Sequence, residues 1–398
     1  MDGLFALGSN GSGQLGLGHR TDVSVPKPVR FDPPLDDTDE VVCVAAGGNH
    51  TIALTRAGCA YWAGDPSTGA CGVVRESSGS GSGADTSSGF HALALDPGAD
   101  RDGQRLRHVV YAACTWDASV LALRDDEDAV TQVYVCGGDM TVAIADTSVT
   151  DLTTLGMPLL LTDFPPPGTQ IVSLSAGLRH VVAVLDNGDA WGWGAAHKGQ
   201  LGEEDAAVRS NPGPDSGSGG AIVKRPRKIG GVPFAVAAAA CTQHATCLIA
   251  APGDGRVLVL GADGRWALRT GAPTEAPDWA ALAAGWGAVY ILRRGGTLLA
   301  WGRDDHGQMP PPGLPELERV VAGSEHVVAL TRDGNVLSWG WGEHGNCGPT
   351  TAGQSGDVKG RWNVLASVKN LPEGSSITAI GAGCATSWIN IAMEGIFL

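Results

Sequence analysis

Short apolar runs alternate along the whole chain with polar, glycine-bearing turns. Three of the runs, His50-Thr-Ile-Ala-Leu-Thr55, His180-Val-Val-Ala-Val-Leu185 and His326-Val-Val-Ala-Leu-Thr331, are six residues long and rich in aliphatic and β-branched side chains. Runs this short, bounded by glycine turns, predict buried strands. Each run stands inside a longer unit that superposes on the others without gaps. The unit starts as Ala-Gly-x-x-His, crosses an apolar strand, a turn and a second strand, and ends on a corner such as Trp62-Ala-Gly64, Trp193-Gly194 or Trp339-Gly340. From first to last glycine the three copies measure 17 residues, as does a fourth from Gly285 to Gly302. Two more are stretched in their turns, from Cys114 to Gly137 and from Cys241 to Gly261. A seventh start, Ala382-Gly-Cys-Ala-Thr386, meets the C-terminus before any corner, and the missing corner stands at the other end as Phe5-Ala-Leu-Gly8.

A repeated unit of about four short strands has two apolar faces and two open edges, and cannot bury them alone. Radial stacking buries the faces and closing the circle removes the end faces. The expected fold is therefore an all-β, seven-bladed β-propeller spanning residues 1–398, its ring closed by pairing of the segments near Phe5 and Trp388. A further glycine pair, five residues apart, follows four corners and introduces Gly13-Gln-Leu-Gly16, Gly199-Gln-Leu-Gly202, Gly307-Gln-Met309 and Gly345-Asn-Cys-Gly348. The Ser- and Gly-rich stretches 76–89 and 203–220 are expected as flexible insertions, because the repeat phase resumes after each.

Composition agrees and excludes alternatives. Glycine makes up about 15% of the chain (59 of 398 residues), against a usual level of about 7%, without a collagen period. A net charge of −15 opposes phosphate backbones, so no direct nucleic-acid partner is expected. No apolar run is long enough to span a membrane, and nine cysteines without a Cys-x-x-Cys pair read as reduced intracellular thiols. Cytoplasm is the expected setting, with the nucleus left open.

The Ala-Gly-x-x-His starts, Trp-Gly corners and Gly-Gln-Leu-Gly turns together resemble RCC1 repeats over nearly the whole chain. Narrower stretches, Ala6-Leu-Gly-Ser-Asn-Gly11, Trp339-Gly-Trp-Gly-Glu-His-Gly-Asn-Cys-Gly-Pro349 and Gly383-Cys-Ala-Thr-Ser-Trp388, are similar to the fungal alpha-tubulin suppressor proteins, also known as killer-toxin-insensitivity proteins. That resemblance implies a heterodimer with a small CSL-type zinc-finger protein, an iron-carrying electron donor. Through that partner it implies support of diphthamide formation on elongation factor 2 and of Elongator-dependent wobble-uridine modification in tRNA. The expected role is a non-enzymatic binding scaffold without a cofactor. Regulation of a Ran-like small GTPase as an exchange factor is the alternative, and a ubiquitin-ligase or trafficking adaptor is a third reading.

Candidate chemistry is sparse. His50, His180, His244 and His326 are read as one equivalent slot in four blades, each facing its own turn and so suited to structural hydrogen bonding. His344 and Cys347 offer one potential ligand pair, but a zinc site needs three or four ligands and no companion pair is visible. The places where the repeat is broken are more informative. Trp116, Trp286 and Trp388 stand at or near strand entrances where histidine is the rule, and tryptophan is enriched at binding hot spots. With Glu343, His344, Asn346 and Cys347, to which the resemblance also points, they form the expected partner-binding set. The corner tryptophans 191, 193, 301, 339 and 341 are expected in the core.

Overall fold

The computed structural model describes residues 2–36, 38–72, 89–93, 108–137, 158–203, 222–350 and 356–393. The expected insertions at 76–89 and 203–220 lie outside these residues, apart from Gly89 and Glu203. The described strands form seven sheets whose neighbours are antiparallel, apart from one short parallel pairing of Phe31–Asp32 with Phe90–Ala92. We number them as blades by their two inner strands. Blade 1 begins with Val41–Ala46 and His50–Thr55, blade 2 with Val109–Cys114 and Ser119–Arg124, and blade 3 with Ile171–Ala176 and His180–Leu185. Blade 4 begins with Val236–Cys241 and Ala245–Ala250, blade 5 with Trp279–Ala284 and Ala288–Arg293, and blade 6 with Leu317–Ala322 and His326–Thr331. Blade 7 begins with Ser375–Ala382 and Thr386–Met393. The first strands of successive blades lie side by side all the way round, so the seven sheets form a closed ring.

Closure takes the expected form. Gly3–Gly8 is the third strand of blade 7 and pairs antiparallel with Thr386–Met393, Phe5 opposite Ile389 and Ala6 opposite Trp388. Residues beyond Trp388 continue that strand to Met393, which accounts for half of the C-terminal extension. Second strands are buried at every position in blades 1, 3, 4 and 6, because each is covered on both faces by neighbouring blades.

One backbone rule explains the 17-residue spacing. The residue that opens the second strand pairs with the corner glycine: His50 with Gly64, His180 with Gly194, Ala245 with Gly261, Ala288 with Gly302 and His326 with Gly340. At the corner the chain turns with φ of 110° at Gly64 and passes so close to the entrance loop that a Cβ there would lie 2.2 Å from the Asn49 carbonyl. The next residue's amide then donates to that same carbonyl, Asp65 to Asn49 at 2.9 Å. Only glycine supplies both the left-handed φ and the space.

The repeat histidines latch blades together. His50 Nε2 lies 3.0 Å from Ser119 Oγ, His180 Nε2 3.0 Å from Thr246 Oγ1, and His326 Nε2 2.9 Å from Ser387 Oγ. Each bond joins one blade to the next, and burial drives the three imidazoles down to about 4, 3 and 4. The remaining joints follow the same logic in reverse. Where the histidine slot of a blade holds Ala118, Ala245 or Ala288, the following blade carries Val181, Val289 or Val327 in place of the hydroxyl residue. At six of the seven joints a buried hydroxyl is thus present where a histidine meets it and valine stands where none does, in line with the cost of an unmade buried hydrogen bond. At the closing joint Thr386 faces the Thr51 slot, and neither hydroxyl has a hydrogen-bond partner among the described residues.

The glycine before each latch histidine is part of it. A Cβ at Gly47, Gly177 or Gly323 would fall 2.2, 2.6 or 2.4 Å from the histidine's own Cε1. The expectation for His244 is corrected by this alignment. It stands one residue before the latch slot, which Ala245 occupies, and its ring lies partly exposed beside His197 at 6.0 Å. The longer turn in blade 4 disguised that one-residue offset.

Candidate functional site at the mouth of the ring

The seven entrance loops converge on the axis at one face. Gly48, Trp116, Leu178, Trp286, Ser324 and Cys384, with Gly47, Thr115, Gly177, Gly285, Gly323 and Gly383, surround a narrow channel of about 80 Å³. Backbone hydrogen bonds run round this mouth from blade to blade. The Gly48 amide donates to Trp116 O, Trp116 to Leu178 O, Gln243 to Trp286 O, Trp286 to Ser324 O and Ser324 to Gly383 O, at 2.8–3.1 Å. The main chain beneath both tryptophans is therefore fixed on two sides.

Trp116 and Trp286 occupy the same entrance position in blades 2 and 5 and meet over the channel, ring centroids 5.8 Å apart and planes tilted by 48°. Trp116 is 42% exposed, the largest side chain among the exposed hydrophobic residues. Its indole lies on Gly48, where a Cβ would come within 2.7 Å of the ring. The pair floors a wider basin of about 510 Å³, also lined by Asn49, Arg303, His306, Glu325, Trp341 and His344. Arg303 bridges Asp305, Nε to Oδ1 at 2.6 Å, and the largely buried Glu325. Hydrogen bonding to Arg303 holds the Asp305 carboxyl down to about 2, whereas burial raises that of Glu325. His344 Nδ1 sits 2.7 Å from Asp22 Oδ2 and edge-on to Trp341 at 5.4 Å, tying blade 6 to the N-terminal segment.

The structure thus gathers Trp116, Trp286 and His344 round one basin, with Glu343 exposed on the same loop as His344. It removes Trp388, Asn346 and Cys347 from any surface a partner could touch. Trp388 is 0% exposed, because it lies two residues inside a second strand and packs between blades 7 and 1. Asn346 and Cys347 are equally buried. Gly345-Asn-Cys-Gly348 is the counterpart of Gly13-Gln-Leu-Gly16, and Cys347 fills the core as Leu15 and Leu201 do. Asn346 turns inward to donate from Nδ2 to Trp341 O at 2.8 Å, and burial pushes the Cys347 thiol up to about 12. Sequence reasoning missed Arg303, His306, Glu325 and Trp341, which come from blades 5 and 6 and become neighbours only when those two blades pack together. Of the expected core tryptophans, 193, 301 and 339 are buried, while Trp341 faces the basin. Among the described residues, no group of three or more His, Cys, Asp and Glu side chains is placed to hold a metal ion.

A seven-bladed ring with a tryptophan pair over its channel defines an all-β propeller with an aromatic channel mouth. Residues 3–389 match the RCC1-like domain family, and the chain belongs to it. It is 28% identical over 322 residues to an RCC1 repeat-containing protein of Schizosaccharomyces pombe, covering 77% of this chain and 78% of that one. It is 26% identical over 331 residues to the secretion-regulating guanine nucleotide exchange factor of Mus musculus, covering 77% of this chain and 61% of that one. Among solved structures, Prp20p of Saccharomyces cerevisiae, described together with its binding to Gsp1p and histones, shares the fold with a TM-score of 0.72 at 19% identity, over 99% of this chain and 92% of that one. Human WBSCR16 does so with a TM-score of 0.52 at 22% identity, over 98% and 82%.

Proposed function

We propose that the chain is a protein-binding scaffold that docks its partner on the channel-mouth face. The partner would be the small CSL-type zinc-finger protein implied by the resemblance of the 339–349 and 383–388 stretches to the alpha-tubulin suppressor proteins. Through it the chain would support diphthamide formation and Elongator-dependent wobble-uridine modification, in the cytoplasm and without chemistry of its own. The observation that supports a docking face here is the Trp116–Trp286 pair, Trp116 exposed and Trp286 half-buried, held by backbone hydrogen bonds at the centre of a polar rim. An exposed aromatic centre inside a polar rim is the anatomy of an interface hot spot. The second reading, exchange on a Ran-like GTPase, draws on the names of the mouse relative and of Prp20p with Gsp1p.

One pair of measurements separates the two. The purified chain is titrated by calorimetry with the zinc-finger protein, and separately mixed with a Ran-like GTPase carrying a fluorescent GDP. Scaffold function predicts saturable binding that Trp286→Ala weakens by about 2 kcal/mol, roughly thirty-fold, with no acceleration of nucleotide release. Rapid GDP release without zinc-finger binding would establish the exchange reading instead.

A further inference from the structure

The basin itself favours one kind of guest. Its lining includes the indoles of Trp116, Trp286 and Trp341 and one carboxylate, and three more carboxylates stand directly behind it. Glu325 lines it directly, Asp22 backs His344, Asp305 backs Arg303, and Asp357 backs His306 at 3.1 Å. Against these four carboxylates stands the single Arg303 guanidinium in the lining, with the Lys359 ammonium further out on the Asp305 carbonyl. Arg303 is itself engaged by two of the carboxylates, so little of its charge remains for a visiting anion.

We infer that this basin receives a basic side chain, Arg or Lys, of the partner protein, laid against Trp116 and Trp286. The indole faces attract a cation through their quadrupole, and the surrounding carboxylates make the site's potential negative. Arginine suits the site better than lysine, because its planar, weakly hydrated guanidinium can stack on one indole while its edge donates hydrogen bonds. This rests on the reading that the channel mouth is the docking face, and it specifies the chemistry of the contact.

The probes are N-acetyl-arginine methylamide and its leucine and glutamate counterparts, added to the full-length chain labelled at the tryptophan indole nitrogens. Indole proton–nitrogen signals of Trp116 and Trp286 are assigned by single Trp→Phe substitutions. The arginine probe should shift both signals saturably, weakening as salt rises. Trp286→Leu, which keeps an apolar surface and removes the ring, should weaken it about three-fold, and Asp22→Asn or Asp357→Asn by a smaller factor. Equal shifts from the leucine probe, tighter binding of the glutamate probe, or no response to any probe would overturn the inference. Titration of the zinc-finger protein against Trp286→Ala reports separately on the docking face. Loss of that binding alongside a silent arginine probe would leave the face standing and sink only the proposed chemistry.

Discussion

The entrance loops of blades 1, 3 and 6 and those of blades 2 and 5 occupy equivalent places in the ring and do opposite things. In the first group, glycine and histidine turn the loop inward. The imidazole crosses to a hydroxyl of the next blade and is lost from the surface. In the second group the histidine slot is alanine, the hydroxyl opposite is valine, and a tryptophan two residues earlier turns outward over the axis. Blades 2 and 5 thus do without the latch at their forward joints and carry the surface aromatics. The same backbone, held by the same corner glycine, serves cohesion in one group and carries aromatic side chains over the channel mouth in the other. Such a division lets a propeller vary its face without endangering its ring.

The comparison depends on the ring being closed, and the largest expected effect comes from opening it. Deleting residues 1–8 removes the strand between Val23–Pro28 and Thr386–Met393 and strips Leu4, Ala6 and Leu7 from the core. It exposes an edge and a face together. The expected outcome is failure to fold, or a loss of several kcal/mol in urea unfolding followed by circular dichroism. A soluble truncation with unchanged melting would show that the other six blades suffice.

Acid should strike the latched joints next. The imidazoles of His50, His180 and His326 lie at about 4, 3 and 4 in the folded chain, against about 6.5 when unfolded. The unfolded chain therefore binds more protons between those values. The stability these histidines contribute is fully present above pH 6.5 and is lost progressively as pH falls toward 4. Each histidine's contribution, on the order of 3 kcal/mol at neutral pH, is what is lost by the acid end. Urea midpoints at pH 7.5, 6 and 5 should fall in sequence, and His180→Ala should flatten that dependence. An unchanged slope in the variant would mean other groups carry the acid response.

Within one joint the effect is smaller and more diagnostic. His180→Ala should destabilise by about 2–3 kcal/mol, through a cavity and the orphaned Thr246 hydroxyl. Adding Thr246→Val should recover about 1 kcal/mol, since it reproduces the alanine–valine pairing already present where Ala118 faces Val181. If the double variant is no more stable than the single one, the pairing rule is not energetic.

How much of this was legible in the sequence follows from where the signals reside. Blade number, corner glycines and ring closure were readable because they repeat at fixed spacing. The latch was half readable: its histidines stood out, but their partners lie 61–69 residues away and carry no local mark. The burial of Cys347 was also readable, since its loop superposes on Gly13-Gln-Leu-Gly16, where leucine belongs to the core. A resemblance to a family's loop drew attention to the whole loop, whereas the repeat distinguished its inward from its outward positions. Trp388 was misplaced for a related reason. It lies two residues past the slot of His50 and His326, which puts it inside the strand and not at its entrance. The basin's other residues had no sequence signature, because proximity across blades is a product of the closed ring.

The loop from Glu343 to Cys347 offers the finest test of inward against outward, because the two residues are four positions apart. Cys347 is fully buried, its Sγ 3.5 Å from the Trp341 carbonyl, among Leu337, Trp339 and Val358. Cys347→Ser would place a more strongly hydrated hydroxyl in that apolar setting and should cost about 1–3 kcal/mol of stability. The thiol, held at about 12 by burial, should also resist a thiol reagent in the folded chain and react only on unfolding. Glu343 is exposed, so Glu343→Gln should leave unfolding unchanged within about 0.5 kcal/mol. Its effect should show instead in partner association, as a modest change in on-rate that disappears at high salt. A destabilised Glu343→Gln, or a freely reactive Cys347, would place the loop the other way round and move the binding face with it.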